Sequence, residues 1–137
     1  MSISKFLISY LLTTVVFFAI DIVWLGLIAK NIYAKYLGHY LSDDVNWLAA
    51  MAFYLLYIAG IFVFAILPAV EKNSVINAIL YGAFLGLVAY ATYDLTNYAT
   101  LKDWPVRIVV IDLVWGTILT SSVATAGFFI TRYVKGF

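Results

Sequence analysis

Apolar positions along this chain gather into four long stretches, each sufficient to cross a bilayer at about twenty residues per crossing. They cover roughly residues 5–29, 47–70, 74–98 and 105–133. Glu71-Lys72-Asn73-Ser74 makes a tight polar turn between the second and third, with Pro68 placed to end the second helix. Thr100-Leu101-Lys102-Asp103-Trp104-Pro105 joins the third and fourth, and its proline fits a first helical turn, where no N–H is needed. The longer connection, 30–46, places Tyr33, Tyr36, Leu37, Tyr40 and Leu41 at i, i+3, i+4, i+7 and i+8. Asn31, Lys35, Gly38, His39 and Ser42 take the other side, so the spacing predicts an amphipathic helix lying in the interface. Ser42-Asp43-Asp44 then offers a cap and negative charge to the second span. The expected fold is all-α: one domain over 1–137, an integral-membrane four-helix bundle with a short interfacial helix between the first two spans. The first stretch reads as a retained helix, being too long for a signal peptide, interrupted by Asp21 and followed by no small-x-small cleavage site.

Three aspartates break the apolar pattern: Asp21, Asp94 and Asp112, with no Lys or Arg at comparable depth. An ionisable group at the bilayer centre costs roughly 2.5–3.5 kcal/mol on insertion scales, so each is a functional-site hypothesis by default. Four spans put both termini and the 71–74 turn on one side, A, and the amphipathic segment and the 100–105 loop on the other, B. Asp21 lies about eight residues before the first span reaches B, Asp94 about four before the third does, and Asp112 about seven after the fourth leaves it. At about 1.5 Å per residue all three fall roughly 6–12 Å below surface B. Three helices thus contribute one carboxylate layer.

Facing points to the same place. Tyr10, Thr14, Phe17, Asp21, Trp24 and Ile28 form one stripe, while Gly82, Gly86, Tyr90, Tyr93, Asp94 and Asn97 share about a third of a helix circumference. Gly82 and Gly86 make a small-xxx-small pair that admits another backbone. Asp112, Trp115 and Gly116 share a face, and Tyr54 and Tyr57 reach similar depth. The candidate ligand-binding set is Asp21, Trp24, Tyr54, Tyr57, Tyr90, Asp94, Asn97, Asp112 and Trp115, with Thr96 and Thr100 as further oxygen donors. Asp21-Ile-Val-Trp24-Leu-Gly26 and Asp112-Leu-Val-Trp115-Gly116 repeat one pattern in which a ring sits beside an acid. That arrangement suits a cationic or amine-bearing ligand; alternatively the Trp packs while the Asp bonds a neighbouring Tyr. Carboxyls brought close in one layer would share a proton.

Composition adds limits. The 137 residues are 66% hydrophobic and 11% charged, more apolar surface than a soluble domain of this size hides. Net charge is +1, which offers nothing to nucleic acid. Having no Cys excludes thiolate chemistry, and with one His an ordinary zinc site is not expected; no cofactor is expected, and any metal would be a hard, oxygen-ligated divalent cation. His39 reads as a solvated polar residue or, less simply, an acid/base over the pocket mouth. Arg107 and Lys102 read as interfacial anchors, and the four Trp and eleven Tyr partly as an interfacial belt. Side A carries Lys5, Lys72, Arg132 and Lys135 and side B Lys30, Lys35, Lys102 and Arg107, a tie that permits dual insertion and an antiparallel homo-oligomer.

The chain resembles, over almost its whole length, a family of small bacterial membrane proteins known as domain of unknown function 2177. The two Asp-x-x-Trp strings carry the resemblance, together with Phe53-Tyr54-Leu-Leu-Tyr57-Ile-Ala-Gly60 and the run from Tyr93-Asp94-Leu-Thr96-Asn97 to Trp104-Pro105. The resemblance implies a four-helix protein of the bacterial inner membrane and brings no activity with it. Three functions remain open: a small transporter or ligand binder taking a cationic or polar small molecule, an enzyme acting on a lipid or isoprenoid from side B, and a structural accessory subunit.

Overall fold

The computed structural model describes residues 1–136 as five helices, four of them long and apolar enough to cross a membrane. Helix α1 spans Ile3–Ile28, α2 Lys30–Leu37, α3 Trp47–Glu71, α4 Val75–Thr100 and α5 Val106–Lys135. Lipid contact follows from the four spans, each of which carries exposed apolar side chains.

Helix ends follow local chemistry. Ser2 caps α1 by accepting from the Lys5 N–H, and Ser74 caps α4 by accepting from Asn77. The cap of α3 is Asn46, which accepts from the Ala49 N–H, and not the expected Ser42-Asp43-Asp44. Ser42 instead closes on Asp44, its hydroxyl accepting from the Asp44 N–H, a local turn that competes with capping. After Glu71 the chain leaves the helix through Asn73 at φ 51°, with Asn73 N–H bonded to Val70 O and Ser74 N–H to Ala69 O. Asparagine tolerates this left-handed position better than most residues.

Two turns are wider than α-helical. The last turn of α1, Trp24–Ile28, ends with the Ala29 N–H reaching back five residues to Trp24 O at 2.7 Å. In α3 the wide turn is Phe62–Ile66, immediately ahead of Pro68. Proline has no N–H and its ring crowds the carbonyl four residues back, so re-registering that turn lets the helix run on to Glu71 instead of ending at Pro68.

Helix α5 is the axis of the bundle, packed along α4 and α1, with α3 joining them mainly through its wide turn. Its seam with α4 is very close. A Cβ on Gly86 would lie 2.1 Å from Gly116 O, and one on Gly82 would lie 2.8 Å from Thr120 O. The small-xxx-small pair therefore serves the backbone approach that its spacing predicts. Phe17, Ile58, Phe62, Leu119 and Val123 fill the centre. A second cluster, Leu37 with Trp104, Ile108 and Val109, clamps α2 onto the start of α5. Tyr40 adds a hydrogen bond to Lys102 O at 2.5 Å. The amphipathic helix thus exists but stops at Leu37, and it covers the side-B end of the bundle.

Candidate functional site

Beneath α2, the side-B ends of α1, α3, α4 and α5 enclose a cavity of about 550 Å³. Six of the nine candidate residues line it: Asp21, Trp24, Tyr54, Tyr90, Asp112 and Trp115. The other three stand beside it. Tyr57 lies in an adjoining gap and shares a 2.8 Å hydrogen bond with Thr120. Asp94 is fully buried behind the wall. Asn97 is half-buried near the end of α4 and lines neither space.

The two Asp-Trp repeats meet crosswise. Trp24 and Trp115 stack on each other at 4.3 Å with 10° between planes. Trp24 Nε1 donates to the Tyr33 hydroxyl at 3.2 Å, and Trp115 lines the cavity together with Asp21. Tyr33 passes the polarity on, donating to Asp112 Oδ1 at 2.5 Å, while Tyr54 donates to Asp21 Oδ2 at 3.3 Å. The two Trp rings thus pack on each other, and each Asp accepts from a Tyr. Asp21 and Asp112 are 7% and 6% exposed, and that remaining surface faces the cavity.

Asp94 differs. Trp104 Nε1 donates to its Oδ1 at 3.4 Å, while its buried Oδ2 meets no donor group. The neighbour in hydrogen-bonding range is the Asp112 carboxyl. Two ionised carboxylates would meet acceptor to acceptor, whereas a proton on either one supplies the missing donor. Asp21 stands apart from this pair, and among the described residues no three His, Asp or Glu side chains group closely enough for one metal ion. A divalent cation here would have two protein carboxylates and would need other oxygen ligands.

Several expected participants lie elsewhere. Thr96 and Thr100 turn back on their own helix, bonding the carbonyls of Thr92 and Thr96, and are exposed. Arg107 Nη1 donates to Tyr36 at 3.0 Å, so it secures α2 and does not meet Asp112. His39 lies against the Tyr40 ring at a 42° tilt in the exposed turn after α2, outside the cavity lining. Of the four Trp, Trp24, Trp104 and Trp115 turn inward and Trp47 is largely exposed, while Tyr40, Tyr93, Tyr98 and Tyr133 are exposed.

Three residues outside the candidate ligand-binding set complete the site. Tyr33 is the hub between Trp24 and Asp112, and burial followed by the Asp112 carboxylate hold its phenol above the ordinary range. Its place on the apolar stripe of α2 was the available signal, because that stripe faces the carboxylate layer. Lys30 brings a cation to the cavity rim. Gly116 matters for what it lacks: a Cβ there would sit 2.2 Å from the Tyr90 ring, so the glycine of the second repeat lets Tyr90 lie against α5.

Comparison with known proteins agrees with this architecture. The model of the family described as "Predicted membrane protein (DUF2177)" matches residues 6–129, and the chain belongs to that family. No curated protein and no solved structure matches it.

Proposed function

We propose that this member of the DUF2177 membrane-protein family binds a small cationic or amine-bearing ligand in the side-B cavity, with Asp21 and Asp112 as its counter-charges. One observation carries the proposal: two carboxylates from different helices open onto one aromatic-walled cavity at membrane depth. Each acid is already held by a tyrosine, so both are oriented before a ligand arrives. Tyr54 and Tyr90 offer ring surface to a cation, which gains from a desolvated aromatic wall. The bacterial inner membrane is the setting we assign. Transport, as distinct from binding, would call for a homo-oligomer, because this cavity occupies only the side-B half of one bundle.

The test is saturable quenching of tryptophan fluorescence by n-butylammonium in detergent-solubilised protein, read through the Trp24–Trp115 pair. Loss of one charge-assisted contact is worth about 1.5–3 kcal/mol, so Asp21→Asn and Asp112→Asn should each weaken binding roughly 10- to 100-fold. Unchanged affinity in both variants, with unaltered thermal unfolding, would remove the cation site.

A second reading has its own support. Asp94 and Asp112 in contact, with Tyr33 donating to one of them, form a proton-handling group suited to acid–base chemistry on a lipid or isoprenoid. Asp94→Asn separates the two: Asp94 does not line the cavity, so it should spare cation binding while abolishing turnover of any lipid substrate.

A further inference from the structure

The cavity has a side opening that the carboxylates alone do not explain. Over Trp47–Ile61, helix α3 stands away from α4, and the two come together only from the wide turn at Phe62 onward. The wedge between them is a gap of about 350 Å³, lined by Phe53, Tyr57, Ala89, Tyr90 and Tyr93. It is almost wholly apolar in character, and Phe53 and Tyr93 flank it at 52% and 56% exposure. Phe53, Tyr90 and Tyr93 also line the carboxylate cavity, so the two spaces adjoin through shared walls.

Both helices that frame the gap are membrane spans, so it opens toward lipid chains. The polar end of the same space is arranged by charge. Asp21 and Asp112 lie inside, and Lys30 sits at the rim, two residues beyond the end of α1, where the first span reaches the interface. A bilayer molecule with an apolar chain, an anionic group at the interface and an ammonium folded back from it toward the carboxylates is complementary to these three environments.

We propose that the ligand is a phospholipid with a primary-amine headgroup, entering sideways from the bilayer between α3 and α4. Its ammonium meets Asp21 and Asp112, its phosphate meets Lys30, and part of one acyl chain occupies the Phe53–Ala89–Tyr93 gap. A primary ammonium supplies three N–H donors to carboxylate and phenol acceptors, which a quaternary ammonium lacks. The proposal rests on the cation site proposed above and adds to it a lateral route and an anionic partner.

The experiment uses the full chain in detergent, titrated with short-chain phosphatidylethanolamine, phosphatidylcholine and phosphatidylglycerol, with n-butylammonium as the soluble cation. Quenching of tryptophan fluorescence is the readout, and native mass spectrometry counts bound lipid. Phosphatidylethanolamine should bind at least ten-fold tighter than either other lipid. Ala89→Phe, which fills the gap, should weaken the lipid ten-fold and leave n-butylammonium unchanged. Lys30→Gln, at an exposed position, should erode the preference for lipid over n-butylammonium. Equal binding of phosphatidylglycerol and phosphatidylethanolamine would overturn the proposal, as would lipid affinity indifferent to both variants. If n-butylammonium binds and no lipid competes with it, the lateral route fails while the cation site stands. If neither binds, both fail.

Discussion

The α4–α5 seam sets the distance between Asp94 and Asp112, and Gly86 is where that seam is tightest. In Gly86→Ala the added Cβ would lie 2.1 Å from Gly116 O and 2.8 Å from both Gly116 C and Thr120 Cβ. The two closest atoms are backbone, so no rotamer change relieves the clash. Reaching even 3.0 Å from the oxygen requires the helices to part by about 0.9 Å. Overpacking of this kind typically costs about 1–3 kcal/mol, against which alanine returns up to ~1 kcal/mol of helix propensity. The net expectation is a loss of about 1–2 kcal/mol. Gly60→Ala is the matched control, since it lies within α3 and its added Cβ meets nothing within 4 Å. It should be neutral or stabilising by up to ~1 kcal/mol. Reversible unfolding in mixed micelles, followed by helical circular dichroism, measures both. Two turns of helix separate Gly86 from Asp94, so the parted seam should also pull the carboxyl pair apart. If Gly86→Ala proves as stable as Gly60→Ala, the close backbone approach is wrong, and with it the placing of Asp94 against Asp112.

The unmet acceptor on Asp94 predicts a proton held between Asp94 and Asp112, visible as a carboxylic-acid band in the infrared that Asp94→Asn alters. Tyr33→Phe should cost about 1 kcal/mol and change the fluorescence of Trp24, whose N–H loses its partner. Leu37→Ala, which opens the apolar cluster holding α2, should cost more, about 2–3 kcal/mol. Arg107, by its hydrogen bond and then its charge, holds the exposed Tyr36 phenol below its ordinary range. The Tyr36–Arg107 contact should therefore tighten as pH rises through that lowered pKa and weaken as pH falls through it; an ultraviolet titration should lose its earliest tyrosine step in Tyr36→Phe, and that step should move to higher pH in Arg107→Gln. Single cysteines replacing Ser42 and Asp103 should label from one side of the membrane and those replacing Ser2 and Ser74 from the other; partial labelling at all four would indicate insertion both ways.

The four spans, their short connections and the carboxylate layer were legible without coordinates, because a bilayer leaves few alternatives for long apolar runs and makes each buried charge conspicuous. Depth along a span follows from counting residues, so Asp21, Asp94 and Asp112 could be placed near one another before any packing was known. The small residues at Gly82 and Gly86 likewise marked the face where another helix approaches. Counting could not say which side chain meets which. The stacking of Trp24 on Trp115 and the link from Trp24 through Tyr33 to Asp112 depend on how α1, α2 and α5 pack together. Tyr33 became the hub only because α2 folds back over the cavity, and Arg107 was drawn to Tyr36 by the same docking. The wide turns were also beyond a regular helical count: they alter register locally, in one case where Pro68 withholds an N–H. Sequence determined the membrane depth of the charges, through hydrophobicity and rise per residue. Tertiary packing decided their partners, because hydrogen bonds and ring contacts depend on ångström distances between helices that no single helix specifies.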